Sequence, residues 1–474
     1  MAPPDGPAAF LRYVKEPSMD PIYKHVMNGF REKSAERTER RIGAELKFPL
    51  VNADGSAASY AVLTRFWDFL AERGWAPVRD TVSGSVIGAT RPGEQNDTVA
   101  SCETGYCKLE FSMAHTADLN VLQGVVDNLR GDLRTFCNEH DVHIIGFGIH
   151  PVTPPCKDLL MKKKARTKVW DKVFGANRVL PEADGDDMCL FTVNSASHVH
   201  VSVNEDEAVP AINVLNGFSG AQIALTANSN IWRGRIDPDY KCVSEKFWDW
   251  WIPEPGRTGV PDHPFESLKD YVETVSGFQP VFVMRNGQPI VLKDFDSFQE
   301  FFHAEPARGV NLDGDEVTLT PDHADIDLHS TTYWFNARLS RYFTVENRIN
   351  DQQPPDELLC IAALTSGLIE TLGESHEAIR AWNWDTLRRG RDDACRRGIA
   401  PSSNGHGDEP VDLERLATEM LQLADEGLKR RGLGEEKFLE PLHRRLERRE
   451  CPADDAARAF EQGGIEALIA QRQI

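Results

Sequence analysis

The chain has 474 residues, enough for two or three average domains or one large enzyme body. Acidic residues outnumber basic ones 74 to 53, and the resulting formal net charge of -21 works against non-specific binding to nucleic acid or to anionic membrane. No stretch of about 18 apolar residues occurs, and the start, MAPPDGPAAFLRYVKEP, has no basic segment leading into a long apolar run, so neither a membrane span nor a secretion signal is expected. The nine cysteines are scattered and form no CxxC pair; reduced thiols in a cytoplasmic protein are the expectation.

Residues 1–40 are charged, with helical spacing around Tyr23 to Arg41, and read as a leading helical arm. A main body follows over 41–400. In it, short alternating segments (IGAELKF, CKLEFS, VHIIGFGI, HVHVSV, PVFVMR and FTVENRI) are separated by helical stretches such as Tyr60 to Gly74 and Ala117 to His140. Strands and helices mingle without strict alternation, which predicts an α+β fold with a mostly antiparallel sheet. The turn-rich stretch Pro401 to Pro410 reads as a linker, and the remainder of 401–474 as a helical extension packed on the body, with Leu413, Leu416, Met420, Leu421 and Leu423 at helical spacing.

Four of the strands share a property. Residues two apart in a strand lie on one face. IGAELKF therefore sets Ala44, Leu46 and Phe48 opposite Glu45 and Lys47, and CKLEFS sets Leu109 and Phe111 opposite Lys108, Glu110 and Ser112. SHVHVSV separates Val199, Val201 and Val203 from His198, His200 and Ser202; TVENRIND places Glu346 with Arg348, opposite Val345 and Ile349. Any half-solvated strand alternates in this way, but these polar faces carry carboxylates, imidazoles and an arginine instead of threonines and serines. Glu103 lies seven residues before Glu110, so an unbroken strand would point the two apart; a bend or bulge at Gly105 would bring them to one face, and otherwise Glu103 is an exposed turn residue.

Several carboxylates beside an imidazole suit Mg2+ or Mn2+, which share their shells with phosphate oxygens, so a nucleotide is the natural partner. Arg348 is placed either to compensate charge on a transferred phosphoryl group or simply to pair with Glu346. GxxxxGK[ST], HExxH and GxSxG are all missing, so phosphates would have to be held by metals and scattered side chains. The basic run MKKKARTK could contribute Arg166 there, or be a solvated loop.

In order and spacing, IGAELKF, SCETGYCKLEFS, HVHVSV, ALTANSNIW, RTGVPDHPFESLKDYV running into PVFVMRNG, and TVENRINDQQP resemble the plant-type (type 2) glutamate-cysteine ligases and related carboxylate-amine ligases. The resemblance spans nearly all of the chain beyond the leading arm. It implies a glutamine-synthetase-like catalytic domain: a mostly antiparallel sheet with one polar concave face and helices packed outside. The implied activity is ATP- and Mg2+-dependent (or Mn2+-dependent) and ADP-forming: it joins the γ-carboxylate of glutamate to cysteine through a γ-glutamyl phosphate, the first step of glutathione synthesis, in a monomer or homodimer. By the same resemblance Glu45, Glu103, Glu110, His200 and Glu346 fall on cation-holding positions, Arg348 and Glu346 on catalytic ones, Arg348 meets the phosphates of ATP, and Arg257 of GRTG grips the glutamate carboxylate. Two departures stand out. Lys47 occupies a position where the family usually has a second glutamate, and Lys108 one where it commonly has glutamine. They keep open a sister enzyme that joins glutamate to another amine, and a catalytically silent relative that binds nucleotide or amino acid.

Overall fold

Alternation along the strands produces a nine-stranded sheet in which every pairing is antiparallel. This is a computed structural model that describes residues 19–93, 96–173, 185–252, 254–400 and 411–474; the expected linker Pro401 to Pro410 and the first 18 residues of the arm lie outside the described residues. The strands are β1 (Ile42–Asn52), β2 (Ala76–Arg79), β3 (Val86–Arg91), β4 (Thr98–Cys102), β5 (Lys108–Ser112), β6 (Val142–Ile144) and β7 (Ala196–Ser202). A separate four-stranded sheet, β8 (Phe282–Arg285), β9 (Gln288–Val291), β10 (Ala307–Val310) and β11 (Glu316–Leu319), intervenes before β12 (Ala337–Leu339) and β13 (Thr344–Asp351) complete the main one. The main order is β12-β13-β7-β1-β5-β4-β3-β2, with β6 paired to β1.

The apolar face of this sheet is covered by helices. In α2 (Tyr60–Glu72) the buried set Leu63, Phe66, Trp67 and Leu70 recurs at three- and four-residue spacing, and α3 (Leu119–His140) buries Leu122, Val126, Leu129, Leu133 and Phe136 in the same rhythm. Phe66 sits edge-on to Phe111 of β5 at 6.3 Å and to Phe136 at 4.9 Å, and Phe48 of β1 lies 6.1 Å from Phe111. Burying each such ring contributes roughly 1.5–3 kcal/mol. Helices α4 (Glu205–Gly217), α5 (Ser219–Thr226), α7 (Cys360–Glu370) and α9 (Leu413–Arg431) share the same core, with α6 (Val243–Trp251) and α8 (Trp384–Arg397) beside them. The arm helix, α1 (Pro21–Glu36), also joins that core through Ile22, Met27 and Phe30, the last set edge-on to Phe343 at 5.3 Å. Helix α10 (Pro452–Arg472) returns the chain to the sheet: Ile474 donates its N–H to the Ile144 carbonyl at 2.9 Å.

Two segments depart from the sequence expectation. VHIIGFGI forms a strand only over Val142–Ile144; beyond it the Gly146 and Gly148 N–H groups donate to the Arg472 and Asn228 carbonyls, at 2.7 and 2.8 Å, instead of to a neighbouring strand. β13 has a register shift between Asn347 and Asn350. Before the shift, Asn347 follows regular alternation onto the helix-facing side with Val345, where its amide donates to Gln222 Oε1 and Thr365 Oγ1, each at 2.8 Å, which is how a polar residue is accommodated in the core.

The fold holds a neutral histidine in place. His329 stacks on Phe298 at 4.1 Å and its Nε2 donates to the Val275 carbonyl at 2.8 Å, while burial, seconded by Arg257, pushes its pKa down to about 3. A folded pKa below the unfolded 6.5 means that acidification protonates the unfolded chain first, so this stability is present above pH 6.5 and is lost as pH falls toward 3. Lowering the pH from 6.5 to 5 is expected to cost about 2 kcal/mol through this one residue. Denaturant titrations of His329→Gln at both pH values should show a correspondingly flatter response than the parent; equal slopes would refute the assignment.

Candidate functional site

The polar faces of β1, β5, β7 and β13 form the floor of a cavity of about 530 Å³. Strand register aligns the side chains across it. Lys47 opposes Glu110 between β1 and β5, Glu45 opposes His198 between β1 and β7, His200 opposes Glu346 between β7 and β13, and Arg338 of β12 opposes Glu346 in turn. Arg166, Trp170, Trp248, Trp334, Arg341 and Tyr342 rise around this floor.

Glu103 reaches the same floor by a route that an unbroken strand would not allow. The chain reverses completely between β4 and β5, so Ser101 opposes Glu110 and Glu103, two residues further on, returns to their face. Gly105 lies in this reversal, where a Cβ would collide with the Thr192 carbonyl. The expected bulge is therefore a hairpin connection, and both carboxylates line the cavity.

Two adjoining centres of charge result. At the first, Glu45, His200 and Glu346 each offer a ligand atom, all within 4.8 Å of one another. His200 Nδ1 is 3.0 Å from Thr344 Oγ1, which orients the ring, and its buried Nε2 has no hydrogen-bond partner. Burial opposes the charged imidazole, yet Glu346 and Glu45 hold its pKa above the ordinary value. His198, 3.3 Å from Glu45 through Nδ1, is held neutral by burial and by the Lys47 and Arg348 charges, its pKa pushed down to about 3. Glu346 is held ionised well below the usual carboxylate range; burial opposes this, but Arg338, 2.8 Å away through Nε, and Arg348, which also bonds it, prevail.

At the second centre the Lys47 ammonium bonds Glu103 and lies 3.5 Å from Glu45 and 3.8 Å from Glu110. Burial would discharge Lys47, but the three carboxylates hold its pKa well above that of an ordinary lysine. Lys108 approaches Glu103 from the other side at 2.8 Å. Burial, with Glu103 and Glu45 nearby, raises the pKa of Glu110 despite the pull of Lys47.

Glu45, Glu103, Glu110, His200, Glu346, Arg348 and Arg166 thus all line one cavity. Arg166 donates to Thr331 Oγ1 at 2.9 Å, so the basic run is in part an element of the cavity wall. Arg257 is not part of the lining. It is 1% exposed, and its guanidinium is consumed by the Thr332 and Gln279 carbonyls, at 2.8 Å each, and by Glu254. Those bonds join the loop before β8 to the segment before β12. His198 and Arg338 were not singled out in advance. The alternation that exposes His200 exposes His198 as well, whereas Arg338 sits on a three-residue strand too short to read as periodic.

A divalent cation fits the first centre: two carboxylates and an imidazole with an unsatisfied, buried Nε2 make an oxygen-rich donor set suited to Mg2+ or Mn2+. The Thr344 contact to the other ring nitrogen is the usual support for a ligating histidine.

The family model described as glutamate-cysteine ligase family 2 matches residues 42–471. A glutamate-cysteine ligase 2-1 of Streptomyces avermitilis is 29% identical over 233 residues, which cover 47% of this chain and 49% of that protein. A glutamate-cysteine ligase of Natronomonas pharaonis is 24% identical over 302 residues, or 60% of this chain and 66% of that one. The matches therefore span between half and two thirds of these relatives. Among solved structures, a glutamate-cysteine ligase from Francisella tularensis in complex with AMP superposes with a TM-score of 0.53 at 11% identity, covering 91% of this chain and 87% of that one. At that identity the likeness concerns the fold, which is glutamine-synthetase-like, and no helix among the described residues is long and apolar enough to cross a membrane.

Proposed function

The chain belongs to glutamate-cysteine ligase family 2, and from that premise we propose that it is an ATP- and Mg2+-dependent ligase of the cytoplasm that activates the γ-carboxylate of glutamate and joins it to cysteine. The observation that carries this reading is the convergence of Glu45, Glu103, Glu110, His200 and Glu346 with Arg338 and Arg348 on one cavity.

A carboxylate resists attack by an amine because its carbonyl carbon is electron-rich and its leaving group poor; transfer of the γ-phosphoryl group of ATP removes both obstacles. Glu45, His200 and Glu346 would hold the divalent cation, with Mn2+ as the alternative to Mg2+. When bound, it supplies charge neutralisation and Lewis acidity toward phosphate oxygens. Arg348 and Arg338, fixed by Glu346, place positive charge where the transferred phosphoryl group accumulates negative charge. Arg166, at the cavity wall, is positioned for the rest of the polyphosphate. The acidic floor receives the acceptor as an ammonium; once that ammonium has given up a proton, the free amine attacks the carbonyl carbon of the γ-glutamyl phosphate and phosphate leaves.

One observation favours a second reading, in which the acceptor is a bulkier amine. Trp170, Phe191, Trp248 and Trp334 form an aromatic side to the cavity, with Trp248 stacked on Trp334 at 5.6 Å. Purified protein should release ADP only when ATP, Mg2+, glutamate and an acceptor amine are all present, and mass spectrometry over a panel of amines should identify the product. ADP release indifferent to glutamate would sink both readings; a product with cysteine absent but with an aromatic amine present would select the second.

A further inference from the structure

The two charge centres on the cavity floor share Glu45 and differ in one respect. At the Glu45, His200 and Glu346 corner, the imidazole Nε2 lies 3.4 Å from Glu45 and 3.9 Å from Glu346 without a hydrogen bond to either, and no ammonium stands between the three groups. Among Glu45, Glu103 and Glu110, the space toward which the three carboxylates converge is already taken by an ammonium. Lys47 is 4% exposed, and its Nζ bonds Glu103 while lying within 4 Å of the other two. Register leaves it no other destination: Lys47 follows Glu45 by two residues on β1 and pairs directly with Glu110 on β5.

Lys108 completes the arrangement. Its ammonium has three donors, and three acceptors surround it: Glu103 at 2.8 Å, the Phe191 carbonyl at 3.0 Å and Asn194 Oδ1 at 3.2 Å. The two ammonium groups on Glu103 together carry the charge of one divalent ion. Both are on strands, and neither can be exchanged with solvent.

We propose that Lys47, with Lys108 behind it, is a built-in cation that takes the place of a divalent ion at the Glu45–Glu103–Glu110 centre, so that the chain takes a single divalent cation, at Glu45, His200 and Glu346. This deepens the ligase reading and rests on its assignment of the cavity as a cation site. An ammonium at this place donates hydrogen bonds but has no vacant coordination position, so it positions and neutralises without acting as a Lewis acid. It also stays in place under chelation. Lys47 is thus a positioning residue for whatever anionic group lies above the floor.

The test is a count of bound Mn2+ by electron paramagnetic resonance on the full chain, with no nucleotide or amino acid present. Wild type should bind one Mn2+, Glu346→Gln should lose it with at least a tenfold fall in affinity, and Lys47→Gln, which reopens the three-carboxylate centre, should bind two. Two Mn2+ on wild type, an undiminished site in Glu346→Gln, or a single Mn2+ on folded Lys47→Gln would each overturn the proposal. Should Lys47→Gln fail to fold by near-UV circular dichroism, wild type and Glu346→Gln still decide it, because a second ion on wild type would survive the Glu346 change. Turnover is not read in this experiment, so absence of ligase activity and a wrong ion count are separate outcomes.

Discussion

Glu346→Gln should lower ADP-forming turnover by about 10³-fold or more, roughly 4 kcal/mol of lost transition-state stabilisation. Three functions meet in this one carboxylate. It is a member of the first cation centre with Glu45 and His200, it bonds Arg348, and it accepts from Arg338 Nε at 2.8 Å. Glutamine preserves volume and one acceptor but removes the charge that the buried Arg338 and the half-buried Arg348 share as counter-ion. The cation then binds weakly, and both arginines are free to swing away from the phosphoryl position. Because side chains acting as a unit give non-additive losses, Glu346→Gln combined with Arg348→Ala should be little worse than Glu346→Gln alone. A coupled ADP assay with glutamate and cysteine, checked against far-UV circular dichroism, measures this. Retention of more than a tenth of the parent rate would remove Glu346 from the reacting centre.

The largest effect on stability is expected far from the cavity, at Gly427→Val. Helices α7 and α9 pack backbone to backbone: a Cβ on Gly427 would land on the Gly367 carbonyl, and one on Gly367 on the Ala424 carbonyl. A glycine inside a helix costs about 1 kcal/mol relative to alanine; here the close approach of two helices, with α7 buried along almost its whole length, offsets that cost. Neither backbone can yield without moving β7 or α5, both of which lean on this pair. Valine should therefore destabilise the fold by about 3 kcal/mol, the upper end for overpacking. Gly124 provides the opposite sign. It is also helical, in α3, but a Cβ there meets nothing within 4 Å, so Gly124→Ala should stabilise by about 0.5–1 kcal/mol. Urea titrations of the two variants check both; a Gly427→Val loss under 1 kcal/mol would show that the helices separate without penalty.

The alternation in IGAELKF, CKLEFS, HVHVSV and TVENRIND was legible because a strand's side-chain period is two, and each of these segments buries a contiguous apolar set. That pattern assigned Glu45, Glu110, His200, Glu346 and Arg348 to polar faces, and the structure places those faces on one sheet. What alternation does not carry is which strands are neighbours. Lys47 alternates onto the same face as Glu45, but its other two carboxylate partners, Glu110 and Glu103, come from the β1–β5 pairing and from the reversal after β4, both set by contacts distant in sequence. Arg257 illustrates the opposite limit. The resemblance put Arg257 of GRTG on the glutamate carboxylate, whereas the carbonyls that hold this guanidinium lie 22 and 75 residues away along the chain and bury it.

By itself the sequence determined the charge, the α+β class, the approximate extents of α2 and α3 and the sidedness of the four site strands, because local pattern carries all of these. The tertiary structure alone decided that an ammonium and not an open position faces Glu103 and Glu110, that Arg338 shares Glu346 with Arg348, and that Arg257 is buried outside the cavity lining. Those outcomes depend on strand order, register and close packing between separate segments, 56 residues apart for Lys47 and Glu103 and 75 for Arg257 and Thr332, where free energy is set by which buried charges meet and local pattern is silent.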